Sequence, residues 1–460
     1  MGQIMNFSPT DKTPTVIDRL LRSPVVLLGL IVVALGLLAV VGLVAWRLWG
    51  PAIRAWLAWQ LGLSIVVMAV CFAIILSMTA ACILAERKIS AFIQDRKGPN
   101  RVGFWGLFQP VADGLKFLLK EEFTPAQVDK PVFVLAPCLA FVVAFVGFAV
   151  IPWAGEIRWP WMPADARPVT TQVASLDIGL LYVLAIGGLG VYGVVLAGWA
   201  SNNKYSFYGG MRAAAQMISY EVPLGLGLIV LLLTAGTLRP ELIVNQQAQS
   251  GVWNIFLHPL AFLILATTAF AETNRTPFDL AEAEQELVGG FHTEYSSMKF
   301  AMFFLAEYAH MITASAVIVA LFFGGWHLWL LPNVDNTAWW AALIKFAVYW
   351  AKIALFIAFY MVIRWTLPRF RFDQLMRLAW KSLIPLGLGL VVAAGLLAAL
   401  GWRIEPGTSV GRRLLVVAVH LAANAIVLAG ALWIAGRSRQ PVTGRQEHLP
   451  EIEVRPTAAP

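Results

Sequence analysis

Residues 61–85 read LGLSIVVMAVCFAIILSMTAACILA, an apolar run that contains no charged residue. A helix needs about 20 mostly apolar residues to cross a bilayer, so this run is long enough to be one span. The same criterion applied along the chain predicts ten spans, and we therefore expect an all-α polytopic membrane protein. The predicted spans are 24–46, 61–85, 131–153, 174–199, 217–237, 253–271, 299–323, 340–365, 381–401 and 413–435.

The composition also indicates a membrane protein. Hydrophobic residues make up 59% of the 460 residues and charged residues only 13%, whereas soluble domains carry about 25% charged residues. So few charges could not cover a surface in water. The net charge of +8 is interpreted through the loops in which Lys and Arg lie, because in membrane proteins their placement reports orientation.

The three cysteines, Cys71, Cys82 and Cys138, lie in apolar runs without paired spacing. Iron–sulfur clusters need grouped thiolates, so we interpret these residues as small buried hydrophobic side chains. No glycine-rich dinucleotide fingerprint follows a strand pattern. If the protein takes part in redox chemistry, its electrons come from elsewhere.

Basic residues concentrate in alternate loops, at 12–22, 87–120, 364–381 and 437–445. The positive-inside rule makes these loops cytoplasmic, together with both termini. The run at 24–46 is longer than the 7–15 apolar residues of a signal peptide and no small-residue cleavage site follows it, so we expect a retained helix. The tail after 437 lacks periodicity and is predicted to be disordered.

The first cytoplasmic loop, residues 86–122, reads ERKISAFIQDRKGPNRVGFWGLFQPVADGLKFLLKEE. After the Gly-Pro-Asn turn at 98–100, apolar residues from Leu107 to Leu119 recur at helical spacing. Asp113 and Lys116 lie on a second, polar face. An interfacial helix with a solvated stripe is the alternative to a functional loop, and snorkelling is the alternative explanation for Glu86 and Arg87.

The second loop, SNNKYSFYGGMRAAAQMISYE at 201–221, predicts a helix on which Arg212, Gln216 and Ser219 share a face. Glu221 then lies just inside the next apolar run. Charges at such positions are costly and are usually functional. Helix capping or a local ion pair is the alternative.

The third loop, AETNRTPFDLAEAEQELVGGFHTEYSSMKF at 271–300, is strongly acidic, and Arg275 is its one nearby basic residue before Lys299. Pro277 breaks any helix that continues from the preceding span. From Asp279 onward, offsets of three and seven predict one helical face that carries Asp279, Glu282 and Glu286. The six acidic residues are Glu272, Asp279, Glu282, Glu284, Glu286 and Glu294.

Crowded carboxylates repel one another, and burial also disfavours their ionisation, so we expect raised pKa values in this loop. Coupled groups of this kind can bind and release protons near neutral pH. The alternative is a solvated acidic loop. The apolar residues between the acids, such as Phe278, Leu280 and Phe291, favour a loop that folds back into the protein.

Ionisable residues also occur inside the predicted spans. Glu307 and His310 lie one turn apart and form either a mutually satisfied pair or part of a functional path. Lys352 lies in the middle of its span. His420 and Asn424 share a face of the last span, where we expect hydrogen bonds between helices.

These three loops and a fourth segment, RWTLPRFRFDQLMRLAWK at 364–381, resemble in order and placement the quinone-site subunit of respiratory complex I. This family comprises the H subunit of the bacterial NADH-quinone oxidoreductase and NADH dehydrogenase subunit 1 of mitochondria. The resemblance covers about residues 61–401 and implies a core of eight transmembrane helices. It leaves an N-terminal extension with one added helix at 1–60, an added C-terminal helix at 402–436 and a disordered tail at 437–460.

The resemblance also implies a function. The chain would form the membrane side of a quinone chamber in the bacterial cell membrane and would bind no redox cofactor itself. Its quinone substrate would be ubiquinone or menaquinone. Iron–sulfur clusters, FMN and NADH would be bound by hydrophilic partner subunits at the cytoplasmic face, and small membrane subunits and antiporter-like subunits would be the other partners.

The same resemblance assigns roles to individual residues. Those implied to line or shape the quinone passage are Arg87, Arg96, Arg101, Arg275 and Phe278. Those implied to form a charged path from the chamber to the membrane interior are Asp113, Lys116, Lys204, Tyr220, Glu221, Glu272, Asp279, Glu282, Glu284, Glu286, Glu294 and Tyr295. Those implied to form the last charged cytoplasmic loop are Arg364, Arg369, Arg371 and Asp373.

Two other functions remain open at this level. Membrane subunits of energy-converting hydrogenases share the architecture, although the complete GPNRVG and EYSSMKF stretches favour the quinone branch. A stand-alone secondary transporter is a different class, which usually shows inverted repeats and helices broken near mid-membrane. The sequence has no internal repeat, and co-purification with iron–sulfur subunits would favour complex I.

Overall fold

The computed structural model describes residues 60–158, 160, 168–281, 284–328, 337–404 and 408–437. The predicted span at 24–46, Glu282 and the tail from 438 onward lie outside the described residues. In the described part, helices dominate, and one short antiparallel hairpin pairs β1 with β2. Strand β1 is Glu156–Ile157 and strand β2 is Val169–Thr170.

Fourteen α-helices succeed one another in the described part of the chain. The first seven are α1 Gln60–Ile93, α2 Gln109–Leu119, α3 Lys130–Val146, α4 Gly179–Ala200, α5 Lys204–Ala235, α6 Pro240–Ser250 and α7 Asn254–Leu257. The remaining seven are α8 Pro259–Glu272, α9 Glu284–Leu287, α10 Ser297–Phe322, α11 Trp339–Thr366, α12 Phe372–Arg377, α13 Ile384–Ala399 and α14 Val410–Arg437. Eight helical segments of the described chain are long and apolar enough to cross a membrane, which confirms the all-α multi-pass class.

The predicted span at 253–271 is wrong as a single helix. The chain forms the four-residue α7 and the 14-residue α8, with His258 between them at φ −130° and ψ 62°. Pro259 follows directly, and the residue before a proline is sterically disfavoured in the α conformation. The other eight predicted spans that fall within the described residues correspond to the eight long helices.

Helix α5 continues without interruption from the second loop into the membrane. It runs for 32 residues and contains Pro223. At its first turn, the Asn203 side chain accepts a hydrogen bond of 2.9 Å from the backbone N–H of Tyr205, as expected for an N-cap residue. The polar residues of the loop and Glu221 therefore lie on one rigid element.

Small residues allow the helices to approach closely. A Cβ atom added to Gly193 of α4 would lie 2.9 Å from the Cβ of Ala140 in α3, and one added to Gly209 of α5 would lie 2.7 Å from the backbone of Gly290. Lipid tails are as apolar as the side chains, so close van der Waals packing of this kind holds membrane helices together. The two glycines bring α4 against α3 and α5 against the third loop.

The polar loops meet at one end of the bundle, which we name the charged end: residues 94–129, 201–203, 273–296 and 367–371. The backbone N–H of Phe123 donates to the Ser296 hydroxyl at 3.0 Å, and that of Phe370 donates to the Pro277 carbonyl at 3.1 Å. Distant segments are thereby tied into one surface.

Candidate functional site

The first loop forms the predicted amphipathic helix, α2. Asp113 on its polar face lies 2.6 Å from the Arg87 guanidinium and 3.9 Å from the Lys116 ammonium. The apolar face, which includes Leu115 and Leu119, is exposed in the isolated chain. Arg87 is therefore anchored at the end of α1 by a loop residue and is more than a snorkelling side chain.

Two arginines implied for the quinone passage lie on the surface of the charged end. The Arg96 guanidinium donates to Gln94 at 2.7 Å, and Arg101 is exposed. Lys204, which begins α5, is exposed as well. These side chains are available to a partner that covers this surface, and they do not join the buried groups described below.

The second loop confirms the predicted shared face of Arg212, Gln216 and Ser219. The buried Gln216 amide donates to the backbone carbonyls of Ala271 and Phe278, at 2.7 Å each. These contacts hold the third loop against α5. Arg212 and Ser219 contact Glu286 and Trp380, respectively.

The predicted acidic helix of the third loop is wrong. Between Glu272 and Leu287, the described residues form turns around Pro277 and the four-residue α9. Asp279 and Glu286 therefore do not share a helical face. The buried Asp279 carboxylate lies 2.8 Å from the Arg369 guanidinium, whereas the exposed Glu286 carboxylate lies 2.6 Å from Arg212. The proline interrupts the helix, and the ion pairs with Arg369 and Arg212 stabilise the turns in place of the helix that the local spacing predicted.

The remaining acids of the loop are spread along the charged end. Glu294 accepts a hydrogen bond of 2.6 Å from the Asn203 amide. Glu284 begins α9. Next to Glu294, the Tyr295 ring stacks on Phe133 at a centroid distance of 4.0 Å. Burial raises the pKa of Tyr295, so its hydroxyl stays protonated at neutral pH.

Tyr220 and Phe278 join the loops to the membrane helices. The buried Tyr220 hydroxyl donates to the Leu375 carbonyl at 2.9 Å, and its ring contacts Phe278 edge to face at 5.7 Å. Phe278 in turn contacts Phe370 at 5.4 Å. The two residues thus pack α5 and the third loop against α12 and the segment before it.

A row of ionisable side chains crosses the interior of the bundle. The Arg364 guanidinium lies 2.5 Å from the Glu86 carboxylate, which also accepts a 2.6 Å hydrogen bond from the Tyr308 hydroxyl. The guanidinium of Arg275 lies 4.9 Å from the Tyr308 ring and forms an ion pair with Glu307. Buried charges are tolerated where they are paired in this way.

Two cavities continue this row. Cavity B, of about 40 Å³, is lined by Glu272, Asn274, Glu307 and His310 together with mainly apolar residues. Cavity A, of about 80 Å³, is lined by Glu221, Glu272 and His310 together with mainly apolar residues, a tyrosine and two threonines. A water molecule needs roughly 10–15 Å³ of such space, so both cavities are large enough for water. Glu272 and His310 border both of them.

Glu221 differs from the other carboxylates in its exposure. It is exposed on the isolated chain, although it lies within the membrane-spanning helix α5. A carboxylate at this depth is costly in contact with lipid. The side chain therefore needs a protein or water environment on its outer side.

The last charged segment divides into two parts. Arg364 and Arg369 point inward to Glu86 and Asp279. The backbone N–H of Arg371 donates to the Gln374 side chain at 3.0 Å, and Asp373 lies 3.9 Å from Arg377 on the surface. Of these four residues, only Arg364 and Arg369 are paired with buried carboxylates.

Several residues of the row were not predicted. Glu86 and Tyr308 are 222 positions apart, and no spacing in the sequence relates them. Glu307, considered from the sequence as a partner of His310, forms an ion pair with Arg275 of the third loop, which no spacing in the sequence indicated. The one available signal was the presence of a charge within an apolar run, which marks Glu307 but gives no partner.

In chemical terms, the site is a series of ionisable groups, and water-sized cavities lie among those from Glu307 to Glu221. It leads from the loops of the charged end, through Glu86 and Arg275, to Glu307, Glu272 and Glu221. Carboxylates and a histidine arranged in this way can accept and release protons inside a membrane protein.

Comparison with known proteins agrees with this architecture. A family model described as NADH dehydrogenase matches residues 65–395. The chain is 48% identical over 338 residues to the NADH-quinone oxidoreductase H subunit of Flavobacterium psychrophilum, and the match covers 72% of this chain and 96% of that protein. It is also 48% identical over 330 residues to the NADH-quinone oxidoreductase H subunit of Leptospira biflexa, with 71% of this chain and 92% of that protein covered.

A third relative is the NADH-quinone oxidoreductase H 1 subunit of Geobacter sulfurreducens, which is 48% identical over 338 residues, or 72% of this chain and 93% of that protein. The matched region runs from α1 into α13 and includes the loops of the charged end and both cavities. The chain therefore belongs to the family of NADH-quinone oxidoreductase H subunits, which are multi-pass membrane proteins.

Proposed function

We propose that this chain is the membrane subunit of a proton-translocating NADH–quinone oxidoreductase that forms one side of the quinone chamber and couples quinone reduction to proton translocation. The observation that supports this proposal best is the row of ionisable groups from Glu86 to Glu221. Ionisable groups are costly inside a membrane bundle, and where they occur they usually have a function.

The charged end supplies a surface for hydrophilic partner subunits. The exposed side chains of Arg96, Arg101 and Lys204 lie on it, together with the exposed Glu286 carboxylate. In our proposal these partners carry the iron–sulfur clusters, FMN and the NADH site, and they place the last cluster above the chamber. The charged end then faces the cytoplasm, as do both termini.

The quinone, either ubiquinone or menaquinone, has a long apolar tail that reaches the chamber from the lipid. Helix α2 supports this part of the proposal, because its exposed apolar face lies at the charged end beside the end of α1. An amphipathic helix with this exposure lies in the membrane interface. The tail would pass beside it while the headgroup meets the partner subunits.

Reduction of the headgroup consumes two protons and changes the charge next to the third loop. The buried Asp279 carboxylate of that loop is paired with Arg369, so this pair is placed to respond to the change. We propose that the disturbance passes along the row to Glu272 and then to Glu221. Transfer of this kind requires neighbouring groups whose titrations are coupled by more than about one pK unit.

Glu221 is the residue at which the proposed proton path leaves this subunit. The Glu221 side chain is exposed within a spanning helix. In our proposal a small membrane subunit covers it and continues the path toward the antiporter-like subunits. This arrangement removes the unfavourable contact of a carboxylate with lipid.

The test uses the intact complex reconstituted in vesicles, with proton uptake and NADH–quinone electron transfer measured in the same preparation. Glu221→Gln and Glu286→Gln each preserve the size of the side chain but remove its proton-binding capacity. We expect both variants to assemble and to lose proton pumping. Glu156→Gln is the matched control, because Glu156 is an exposed carboxylate of the β1 strand that lies outside the row and outside the charged end to which Glu286 belongs, and it should pump normally.

Full pumping by both Gln variants, Glu221→Gln and Glu286→Gln, would overturn the proposal. Equal loss of pumping in the Glu156→Gln control would show that removal of any carboxylate impairs the complex, and it would remove the support for a specific path.

A further inference from the structure

The wall of cavity A contains two adjacent glycines of α4, Gly187 and Gly188. A Cβ atom added to Gly187 would lie 2.7 Å from Oε1 of Glu272. One added to Gly188 would lie 2.8 Å from Oε1 of Glu221. Each carboxylate therefore occupies the space that any other residue would fill with its own side chain.

These two glycines differ from the packing glycines of the same helix. At Gly187 and Gly188, the nearest atoms from elsewhere in the chain to the added Cβ belong to a glutamate side chain. At Gly193 they belong to Ala140 and include its backbone, and at Gly198 the nearest is the Ser206 carbonyl at 2.7 Å. The latter two bring helices together, whereas the first two make room for carboxylates.

We propose that Gly187 and Gly188 are positioning residues of the proton path, which hold Glu272 and Glu221 against the bare backbone of α4 so that both carboxylates border cavity A. This inference rests on the proposed function of the row. Glu272 comes from the end of α8 and Glu221 from α5, and the surface of α4 brings them to adjacent positions. The two glycines are successive residues, which sets the spacing of the carboxylates.

A methyl group at either position should displace the carboxylate and leave the fold unchanged. The contacted oxygen is the far end of a flexible side chain, so it moves away while the helices stay in place. Alanine is also favoured over glycine inside a helix. The displaced carboxylate no longer lies at its place on the cavity wall, and proton transfer depends steeply on that distance.

The experiment compares Gly187→Ala and Gly188→Ala with Gly395→Ala in the intact, reconstituted complex. Gly395 of the membrane-spanning α13 is the control, because the nearest atom to its added Cβ would be Cδ1 of Leu233 at 3.9 Å, an ordinary contact outside both cavities. We expect the first two variants to lower the pumping rate about tenfold, since misplacement of a reacting group by about 1 Å costs up to roughly 100-fold. Assembly of all three, and pumping by Gly395→Ala, should match the unaltered complex.

A second readout separates positioning from general damage to the helix. Glu→Asp shortens the side chain by one carbon–carbon bond, about 1.5 Å, and so leaves room for the methyl group. We therefore test Gly187→Ala in the Glu272→Asp background and Gly188→Ala in the Glu221→Asp background. In these backgrounds the fold-decrease in pumping caused by each alanine should be smaller by a factor of at least about five than in the unaltered complex, which a double-mutant cycle measures. The structures of the two alanine variants should show a displaced carboxylate on an unchanged α4.

The possible results have distinct meanings. Normal pumping by both glycine variants, or carboxylates that keep their positions in the variant structures, would overturn the positioning inference while Glu221→Gln still abolishes pumping. If Glu221→Gln and Glu286→Gln also pump normally, the proposed function fails as well. Distortion of α4 in the glycine variants would show a packing role and would equally overturn the inference.

Discussion

The Tyr308 hydroxyl donates a hydrogen bond of 2.6 Å to the Glu86 carboxylate, and it thereby joins α10 to the end of α1. The same carboxylate is paired with Arg364 of α11. Helices α1, α10 and α11 are therefore fixed to one another through a single buried acid.

Replacement of this tyrosine tests the strength of the junction. Tyr308→Phe removes the hydroxyl and leaves Glu86 with one fewer donor, which should cost about 2 kcal/mol, as is typical of a hydrogen bond to a charged group. We expect a lower thermal unfolding midpoint of the purified complex. Tyr182→Phe is the control, because the Tyr182 hydroxyl makes only a long contact of 3.5 Å. An unchanged midpoint for Tyr308→Phe would show that the bond adds no stability.

The pair formed by Asp279 and Arg369 leads to a second prediction. Loss of one partner of a fully buried pair costs about 3–5 kcal/mol, but the Arg369 side chain is 31% exposed, and we expect roughly half of that cost. Arg369→Ala should therefore lower both the stability of the complex and its NADH–quinone activity. The nearby Arg371→Ala should have little effect, because Arg371 is exposed.

The double variant Arg369→Ala/Asp279→Asn checks the cause of this effect. Removal of both charges should recover part of the stability, since no uncompensated carboxylate remains buried. A double variant as unstable as the sum of the two single variants would indicate that the pair itself is not the source.

Lys352 was left without a role by the sequence. Its ammonium donates to the backbone carbonyls of Phe323, Gly325 and His327, at 2.8, 2.9 and 2.5 Å. It thus caps the end of α10. Burial and the nearby Lys352 charge lower the pKa of His327, so this histidine is neutral at pH 7.

Lys352→Met should leave those three carbonyls without their donor. We expect a loss of about 3 kcal/mol, in the range of several hydrogen bonds to a charged group, and a smaller yield of assembled complex. The complex that does assemble should keep the normal ratio of protons pumped to electrons transferred, because the residue lies at the opposite end from the loops of the charged end. A changed ratio with normal stability would place Lys352 in the proton path.

The C-terminal helix α14 is hydrogen-bonded to the segment in which α7 and α8 are separated by His258. The Asn424 amide donates to the Leu257 carbonyl at 3.1 Å, directly before the break at His258. Asn424→Ala should leave this buried carbonyl unsatisfied, at a cost of about 1–3 kcal/mol. Limited proteolysis should then cleave the chain faster near the break at His258. Leu421→Ala, an exposed position of the same helix, is the control and should cleave at the normal rate.

Much of the fold follows from the sequence alone. The length and apolar character of each run determined the spans, because a helix must be long enough to cross the bilayer and cannot leave backbone groups unpaired in lipid. Local periodicity also determined the amphipathic α2 and the shared face of Arg212, Gln216 and Ser219. These properties depend on neighbours three or four positions away, which a single sequence displays directly.

The partners of the buried charges were decided by the tertiary structure. The spacing of Asp279 and Glu286 predicted one helical face, but Arg369 and Arg212 hold them in separate places. Similarly, Arg275 pairs with Glu307, while Glu221 and Glu272 meet on the surface of α4. The depth of a charged residue in the membrane follows from its position within its own apolar run, so the sequence determines it. Its partner depends on how each helix is rotated, and that rotation is set by packing against all the other helices.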